Sequence, residues 1–406
     1  MRIAWPLVAI CLGMPLWFLL GATAFVWCLP ALVFGSALLR QRHVRLPRGS
    51  GLLLAMAGWV ALSGVQVRGA QAVALFGWRL ALFCSMVATY VWLCNVDTRR
   101  LQTATIVRLL GSMWLVLVAF GYLAILLPAD SWPSLTQKLL PGPWSEDPFV
   151  QDLTSIRFSE LQTFLGYPVP RPAAPFAYAN GWGSALGLLT PFFVLSWIGE
   201  ASRRRRRGGI GLLIVALVPC VVSLNRGLWI SVVVALLYVA CRNALLGNFR
   251  VALAVMGAGV AFAALVAVSP LADLIADRLD RAGDSNATRA SIYGEAVEHA
   301  ARSPLLGHGA PVRVESGPAV GTHGYLWFLM VSHGAPAAIL FLLWLAGLLR
   351  RGFGLTSPTG VWATSALAAS VVQLPIYGLL PHLVLLGVIG GVIWRERYPQ
   401  LAAHPA

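Results

Sequence analysis

The run Tyr325-Leu-Trp-Phe-Leu-Met-Val-Ser-His333-Gly-Ala-Pro336-Ala-Ala-Ile-Leu-Phe-Leu-Leu-Trp-Leu-Ala-Gly-Leu-Leu349 contains no Asp, Glu, Lys or Arg. A helix crossing the hydrocarbon core of a bilayer needs about 20 apolar residues, and only a helix satisfies every backbone N–H and C=O of such a run without water. Thr322-His323-Gly324 bounds the run on one side and Arg350-Arg351 on the other. It reads as a membrane-crossing helix with a titratable histidine at one mouth and fixed positive charge at the other.

The rest of the chain has the same character. Hydrophobic residues make up 58% of it and charged residues 11%, against about 25% charged in an ordinary soluble domain; mean hydropathy is +0.75. The expected fold class is all-α: a polytopic integral membrane protein forming one membrane domain over residues 1–406. The alternating ten-residue pattern of an outer-membrane barrel is absent. Apolar stretches fall at about 4–20, 22–39, 51–66, 71–95, 105–127, 177–199, 209–224, 226–241, 251–270, 325–349, 358–375 and 378–394, giving twelve transmembrane helices. The opening Met-Arg and apolar run lead to no small-residue cleavage site, so they read as the first span rather than a signal peptide.

A formal charge of +15 would point to nucleic acid in a soluble chain. Here the basic residues lie mostly in short loops between spans, where positive charge marks the cytoplasmic side. With the N-terminus inside, those loops carry Arg40 to Arg48, Arg99-Arg100, Arg203 to Arg207, Arg242 with Arg250, Arg350-Arg351 and, on the tail, Arg395 and Arg397. Of the 15 acidic residues only Asp97, Glu200 and Glu396 fall inside; the remainder lie in two long outer loops, 128–176 and 271–324. Moving the count by one span breaks this alternation. Membrane lipids, not nucleic acid, are the expected surroundings.

The first outer loop is rich in Pro and Trp and ends in Pro175-Phe-Ala-Tyr-Ala-Asn180. The second starts with a helix-like stretch, 274–280, and has an N-cap signal at Asp284 or Ser285 before helical periodicity from Ala290 to Ala301. The six cysteines sit in or beside apolar runs without a CxxC pair, and the histidines lack a ligand spacing. Neither a metal nor a cofactor is expected.

Three residues suited to chemistry fall on the outer side: His323, Arg226 in Ser223-Leu-Asn-Arg-Gly227, and Arg289. Each has an ordinary alternative. An interfacial arginine can snorkel to headgroups, and Arg289 can pair with Glu295 or Asp284. His299, His308 and His333 are loop or span histidines of the same type as His323, and for His333 and His382 a structural hydrogen bond is expected.

From about residue 175 onward the chain resembles the O-antigen ligase and polymerase family of bacterial membrane glycosyltransferases. The matching pieces are Phe176-Ala-Tyr-Ala-Asn180, Ser223-Leu-Asn-Arg-Gly-Leu-Trp229, Arg289-Ala-Ser-Ile-Tyr293, Pro304-Leu-Leu-Gly307-His-Gly309, and His323 with Tyr325, Leu326 and Gly334. Two departures stand out: Gly324 follows the histidine where the family has a polar residue, and Ala337 stands where a second glycine is usual. The resemblance implies transfer of a glycan from undecaprenyl pyrophosphate to an acceptor hydroxyl on the outer face of the bacterial inner membrane, both termini being cytoplasmic. It implies His323 as general base, Arg226 and Arg289 as cations for the departing diphosphate, and Asn180, Asn225, Tyr293 and Tyr325 as substrate-binding side chains. Displacement would be inverting and metal-independent. A ligase uses a lipid-anchored core or other terminal acceptor, a polymerase another lipid-linked repeat, and a protein O-oligosaccharyltransferase is a third member of the group. From another class stands a transporter or flippase. No span carries an Asp, Glu or Lys at its middle, and only Arg79 and Arg108 are charged residues in or near one, which argues against ion-coupled transport.

Overall fold

The computed structural model describes residues 2–127, 129–162, 168–199, 202–267, 282–314 and 319–403. It is 74% helical with almost no strand. Each of the twelve apolar stretches holds helix. In chain order these are α1 (Trp5–Leu20), a short α2 (Thr23–Val26) with α3 (Leu29–Leu39), α4 (Ser50–Ser63), α5 (Ala70–Asn95) and α6 (Thr103–Leu126). The loop between α6 and the next long helix contains α7 (Leu135–Leu139), α8 (Gly142–Ser145), α9 (Pro148–Thr154) and an antiparallel pair, β1 (Ser159–Gln162) with β2 (Val169–Pro172). Then follow α10 (Ala179–Val194), α11 (Arg203–Val222), α12 (Arg226–Leu245), α13 (Phe249–Ala267), α14 (Ala282–Arg302), α15 (Tyr325–Phe353), α16 (Pro358–Gln373), α17 (Val384–Arg397) and α18 (Pro399–Ala403).

Among the described residues, five helices are long and apolar enough to cross a membrane: Ala70–Asn95, Thr103–Leu126, Ala179–Gly199, Arg226–Leu245 and Tyr325–Phe353. Leu12, Leu16 and Leu19 on α1, Leu237 on α12 and Leu253 on α13 are exposed. Apolar surface on that scale belongs against lipid. The chain is a multi-pass, all-α membrane protein.

Some boundaries differ from the sequence reading. The stretch at 209–224 begins as helix at Arg203, inside the arginine run, because Ser202 accepts a hydrogen bond from the Arg205 N–H (3.4 Å) and starts the helix there. α14 is helical from Ala282 onward, so Asp284 and Ser285 lie within it. The last apolar stretch becomes helix only at Val384; Pro375 and Pro381 lack the N–H a helix needs, and 374–383 forms turns instead. The helix-like 274–280 lies outside the described residues.

Helices in lipid gain little from burying apolar surface against each other and associate through close packing of small residues. α17 does this against α5. A Cβ on Gly387 would meet the Met86 carbonyl at 2.4 Å, and Gly390 and Gly391 press on Tyr90 and Leu93. At one end of this pair Arg395 donates to the carbonyls of Leu93 (2.9 Å), Val96 (2.6 Å) and Leu101 (2.6 Å), closing the C-terminus of α5.

α15 is kinked at Gly334 (φ 79°, ψ 173°). Pro336 has no N–H for the Ser332 carbonyl, and at the kink the helical ladder is replaced by partners from the 304–309 segment. His308 N–H donates to Val331 O (2.9 Å), Gly309 N–H to Ser332 O (2.8 Å), and Ala335 N–H to Pro304 O (2.8 Å). These bonds give backbone groups at the break partners from outside the helix, as buried or lipid-embedded backbone requires. The 304–309 segment is thereby pinned to the middle of α15.

Candidate functional site

A cavity of about 560 Å3 opens where the 128–176 and 271–324 loops meet the helices. Its walls come from α5 (Trp78, Arg79), α9 (Phe149, Asp152), β1 (Glu160, Gln162), the start of α10 (Tyr178, Asn180), α14 (Tyr293), the approach to α15 (Thr322, His323, Tyr325) and the 376–381 turn (Tyr377, Pro381). Of the residues singled out from sequence, His323, Asn180, Tyr293 and Tyr325 are brought together on this wall.

His323 is positioned by the turn before α15. The first N–H groups of a helix lack intrahelical partners, and here the 374–377 turn takes them. Tyr325 N–H donates to Tyr377 O (3.0 Å), Leu326 N–H to Leu374 O (3.0 Å), and the Trp327 indole to Pro375 O (2.9 Å). Gly324 sits at φ 153°, and a Cβ there would lie 2.6 Å from Pro375 O. That contact accounts for glycine at the position after the histidine.

The Thr322 hydroxyl donates its one proton to Ala319 O (2.7 Å). Its 3.2 Å contact with His323 Nδ1 is then made by an imidazole N–H donating to the hydroxyl oxygen. In its neutral form the ring then carries its proton on Nδ1 and its lone pair on Nε2, the tautomer a general base needs.

Arg226 opens α12, and each neighbour in Ser223-Leu-Asn-Arg-Gly227 has a structural task. Asn225 is the N-cap: Oδ1 accepts from Leu228 N–H (3.1 Å) while Nδ2 donates to Ala179 O (3.0 Å), tying α12 to the start of α10. Both ends of its amide are thus engaged with backbone, and Asn225 does not line the cavity. Leu224 takes φ 46°, a left-handed turn residue. Ser223 O accepts from the buried Arg171 guanidinium (2.6 Å), whose other arm donates to the cavity-wall side chain of Gln162 (2.6 Å). Gly227 N–H donates to the Tyr377 hydroxyl (3.1 Å), and its missing side chain makes room for that ring. Arg226 itself is half-buried and is not among the residues lining the cavity; it is one residue from the glycine that holds Tyr377.

Arg289 lies on α14, one helical turn before Tyr293; its side chain lies outside the described residues. Tyr293 stacks on Trp327 with ring centroids 5.2 Å apart, which docks α14 on α15. Tyr325 is buried, with Phe328 and Phe341 against its ring.

Sequence reading missed most of the wall supplied by the first outer loop. Asp147 caps α9 through the N–H groups of Phe149 (2.9 Å) and Val150 (3.2 Å). It also accepts from Gln71 of α5 (2.9 Å) and Arg313 of the second loop (2.8 Å), so one buried carboxylate joins three segments. Burial pulls its pKa up, but the Arg313 bond and the backbone N–H groups outweigh this and hold it below the usual carboxylate value. Asp152 accepts from the Tyr178 hydroxyl (2.8 Å) and faces Arg157 at 3.5 Å. Glu160 accepts from Ala179 N–H (2.8 Å) and Gln162 (3.0 Å). The concentration of Asp, Glu, Tyr and Phe in an otherwise Pro-rich loop was the available signal. Tyr377 carried only the signal of a polar ring between two prolines in an apolar run.

Three further histidines make structural contacts. His333 Nδ1 lies 2.7 Å from Ser63 Oγ, which itself donates to Val60 O. His382 is buried and donates through Nε2 to Ser184 Oγ (3.2 Å), and His308 Nε2 donates to the His299 carbonyl (3.0 Å). Among the described residues no three His, Cys, Asp or Glu side chains gather as a metal cage requires. No protein-family model matches the chain, and no curated protein is recognisably similar to it.

Proposed function

We propose that this chain is an O-antigen-ligase-like glycosyltransferase that moves a glycan from undecaprenyl pyrophosphate to an acceptor hydroxyl at the outer face of a bacterial inner membrane. In this reading twelve helices span the membrane, both termini are cytoplasmic, and the cavity faces outward between loops 128–176 and 271–324. The observation that carries it is His323 on a cavity wall, held by Thr322 as the Nδ1–H tautomer with Nε2 as the basic nitrogen. Tyrosine hydroxyls and the Asn180 amide on the same wall suit the hydroxyl-rich face of a sugar, and the Phe176 and Tyr178 rings its apolar face.

The acceptor O–H attacks the anomeric carbon from the side opposite the diphosphate. The new C–O bond forms as the bond to the diphosphate oxygen breaks, inverting the centre, and the proton passes to His323 Nε2. Charge develops on the leaving diphosphate. Arg226 at the N-terminus of α12, with Arg289, would neutralise it, the helix dipole adding to the guanidinium charge. Asn225 and Arg171 act at one remove, by fixing the turn that presents Arg226.

The test is transfer by the purified chain in lipid, supplied with a glycan-loaded undecaprenyl pyrophosphate and candidate acceptors. Glycan on a lipid-anchored core or other terminal acceptor establishes the ligase. Chain growth on a second lipid-linked repeat makes it a polymerase. Movement of the lipid-linked glycan across proteoliposomes without transfer replaces the reading with a flippase.

A further inference from the structure

Arg79 is the one charged residue of α5, nine residues from its start and so about 13 Å along the helix axis. It lines the same cavity as His323. Among the described residues no carboxylate pairs with its guanidinium and no hydrogen bond engages it. Its contact is with the Phe149 ring, 5.7 Å from guanidinium carbon to centroid.

The nearby charges do not compensate it. Arg313 is close enough to repel it, and Asp147, the carboxylate at that end of the cavity, is already bonded to Arg313 at 2.8 Å. The wall carboxylates Asp152 and Glu160 are held by Tyr178, Arg157, Gln162 and the start of α10. Arg79 is half-buried on the cavity wall; a partly desolvated ion without a partner is costly, and an apolar helix would tolerate leucine or glutamine at this position at lower cost. A guanidinium set on a cavity wall with its fork unused is built for the paired oxygens of a phosphate or carboxylate.

We propose that Arg79 is a further oxyanion-binding residue, on the wall of this cavity, taking a phosphoryl or carboxylate group of the bound substrate. The proposal rests on the cavity being the substrate site of the transferase reading. Two sources share this chemistry: the diphosphate of a lipid-linked donor, and an acidic sugar in the glycan.

The full-length protein in nanodiscs separates them. Binding of farnesyl diphosphate and of glucuronate is measured for wild type, Arg79→Gln and Arg79→Lys, with the melting temperature of each variant alone. At least one probe binds wild type, Arg79→Gln weakens it by about tenfold or more, and Arg79→Lys retains part of the affinity. Loss confined to farnesyl diphosphate assigns the site to the donor head, and loss confined to glucuronate to an acidic sugar. Without ligand, Arg79→Gln melts at or above the wild-type temperature, whereas a residue that merely anchored Phe149 would lower it. Equal binding by wild type and Arg79→Gln, or no binding of either probe by wild type, overturns the proposal whatever the transfer assay shows. Arg79-dependent binding by a protein that transfers no glycan would retain the anion site and reject the transferase.

Discussion

Gly227→Ala tests how the start of α12 builds the cavity wall. In an unobstructed helix alanine is favoured over glycine by about 1 kcal/mol. Here the added Cβ would fall 1.8 Å from Tyr377 Cε2 and 2.2 Å from Cδ2, where ordinary contact begins at 3.4 Å, so the ring must retreat by about 1.6 Å. Overpacking of this kind costs about 1–3 kcal/mol, and losing the bond from Gly227 N–H to the Tyr377 hydroxyl (3.1 Å) costs about 0.5–1.5 kcal/mol more. The clash outweighs the helix propensity, for a net loss of about 1–3 kcal/mol. Thermal unfolding of the purified variant should show a melting temperature lower by a few degrees. Glycan transfer should fall as well, because Tyr377 lines the cavity and fixes the first turn of α15 beside His323. The Gly227→Ala, Tyr377→Ala double variant should melt no lower than Tyr377→Ala alone. A single variant as stable as wild type, or a double variant showing the summed losses, would refute the packing argument.

Gly334→Ala places a Cβ 2.0 Å from Leu305 O at φ 79°; it should release the 304–309 segment and lower stability by about 3 kcal/mol or more, read by protease sensitivity of the second outer loop. Thr322→Val removes the acceptor for His323 Nδ1–H and should slow transfer about five- to tenfold with donor binding unchanged, while Thr322→Ser retains the rate; equal rates in all three proteins would reject the tautomer assignment. The Asp147 carboxyl is held below its ordinary value of 3.8, so its stabilising effect is complete above that pH and is lost as pH falls through the lowered folded value. The melting-temperature gap between wild type and Asp147→Ala should therefore be constant from neutral pH to about 5 and shrink in more acidic solution, starting from a cap contribution of about 0.5–2 kcal/mol; Arg313 is 72% exposed and adds little to it.

The parts legible from sequence are those set by local pattern. Long apolar runs specify helices because lipid leaves the backbone no other solution, and helix occurs in each run placed by hydropathy. His323 and Arg226 were visible because each stands in a polar turn at the edge of an apolar run. What was not legible depends on contacts distant in the chain. Asn225, taken for a substrate-binding residue, has both ends of its amide engaged with backbone, one of them on Ala179, a partner 46 residues away. The 128–176 loop shows in sequence only its Pro- and Trp-rich composition, yet the Trp132–Ile156 bridge, the β1–β2 pair and the Asp147 junction give it a defined fold beside the cavity. Arg79 was visible as an in-span charge, but its meaning depended on the absence of a carboxylate partner among the described residues, which spacing does not reveal.

The central claim is that His323 is the base for attack on a lipid-linked glycan. Release of undecaprenyl pyrophosphate under single-turnover conditions, by wild type and by His323→Ala at equal, verified donor occupancy, tests it most directly. The account predicts a rate lower by about 10²–10⁴-fold in His323→Ala with donor affinity and melting temperature near wild type. Release at the wild-type rate by a folded, donor-bound His323→Ala protein would contradict it.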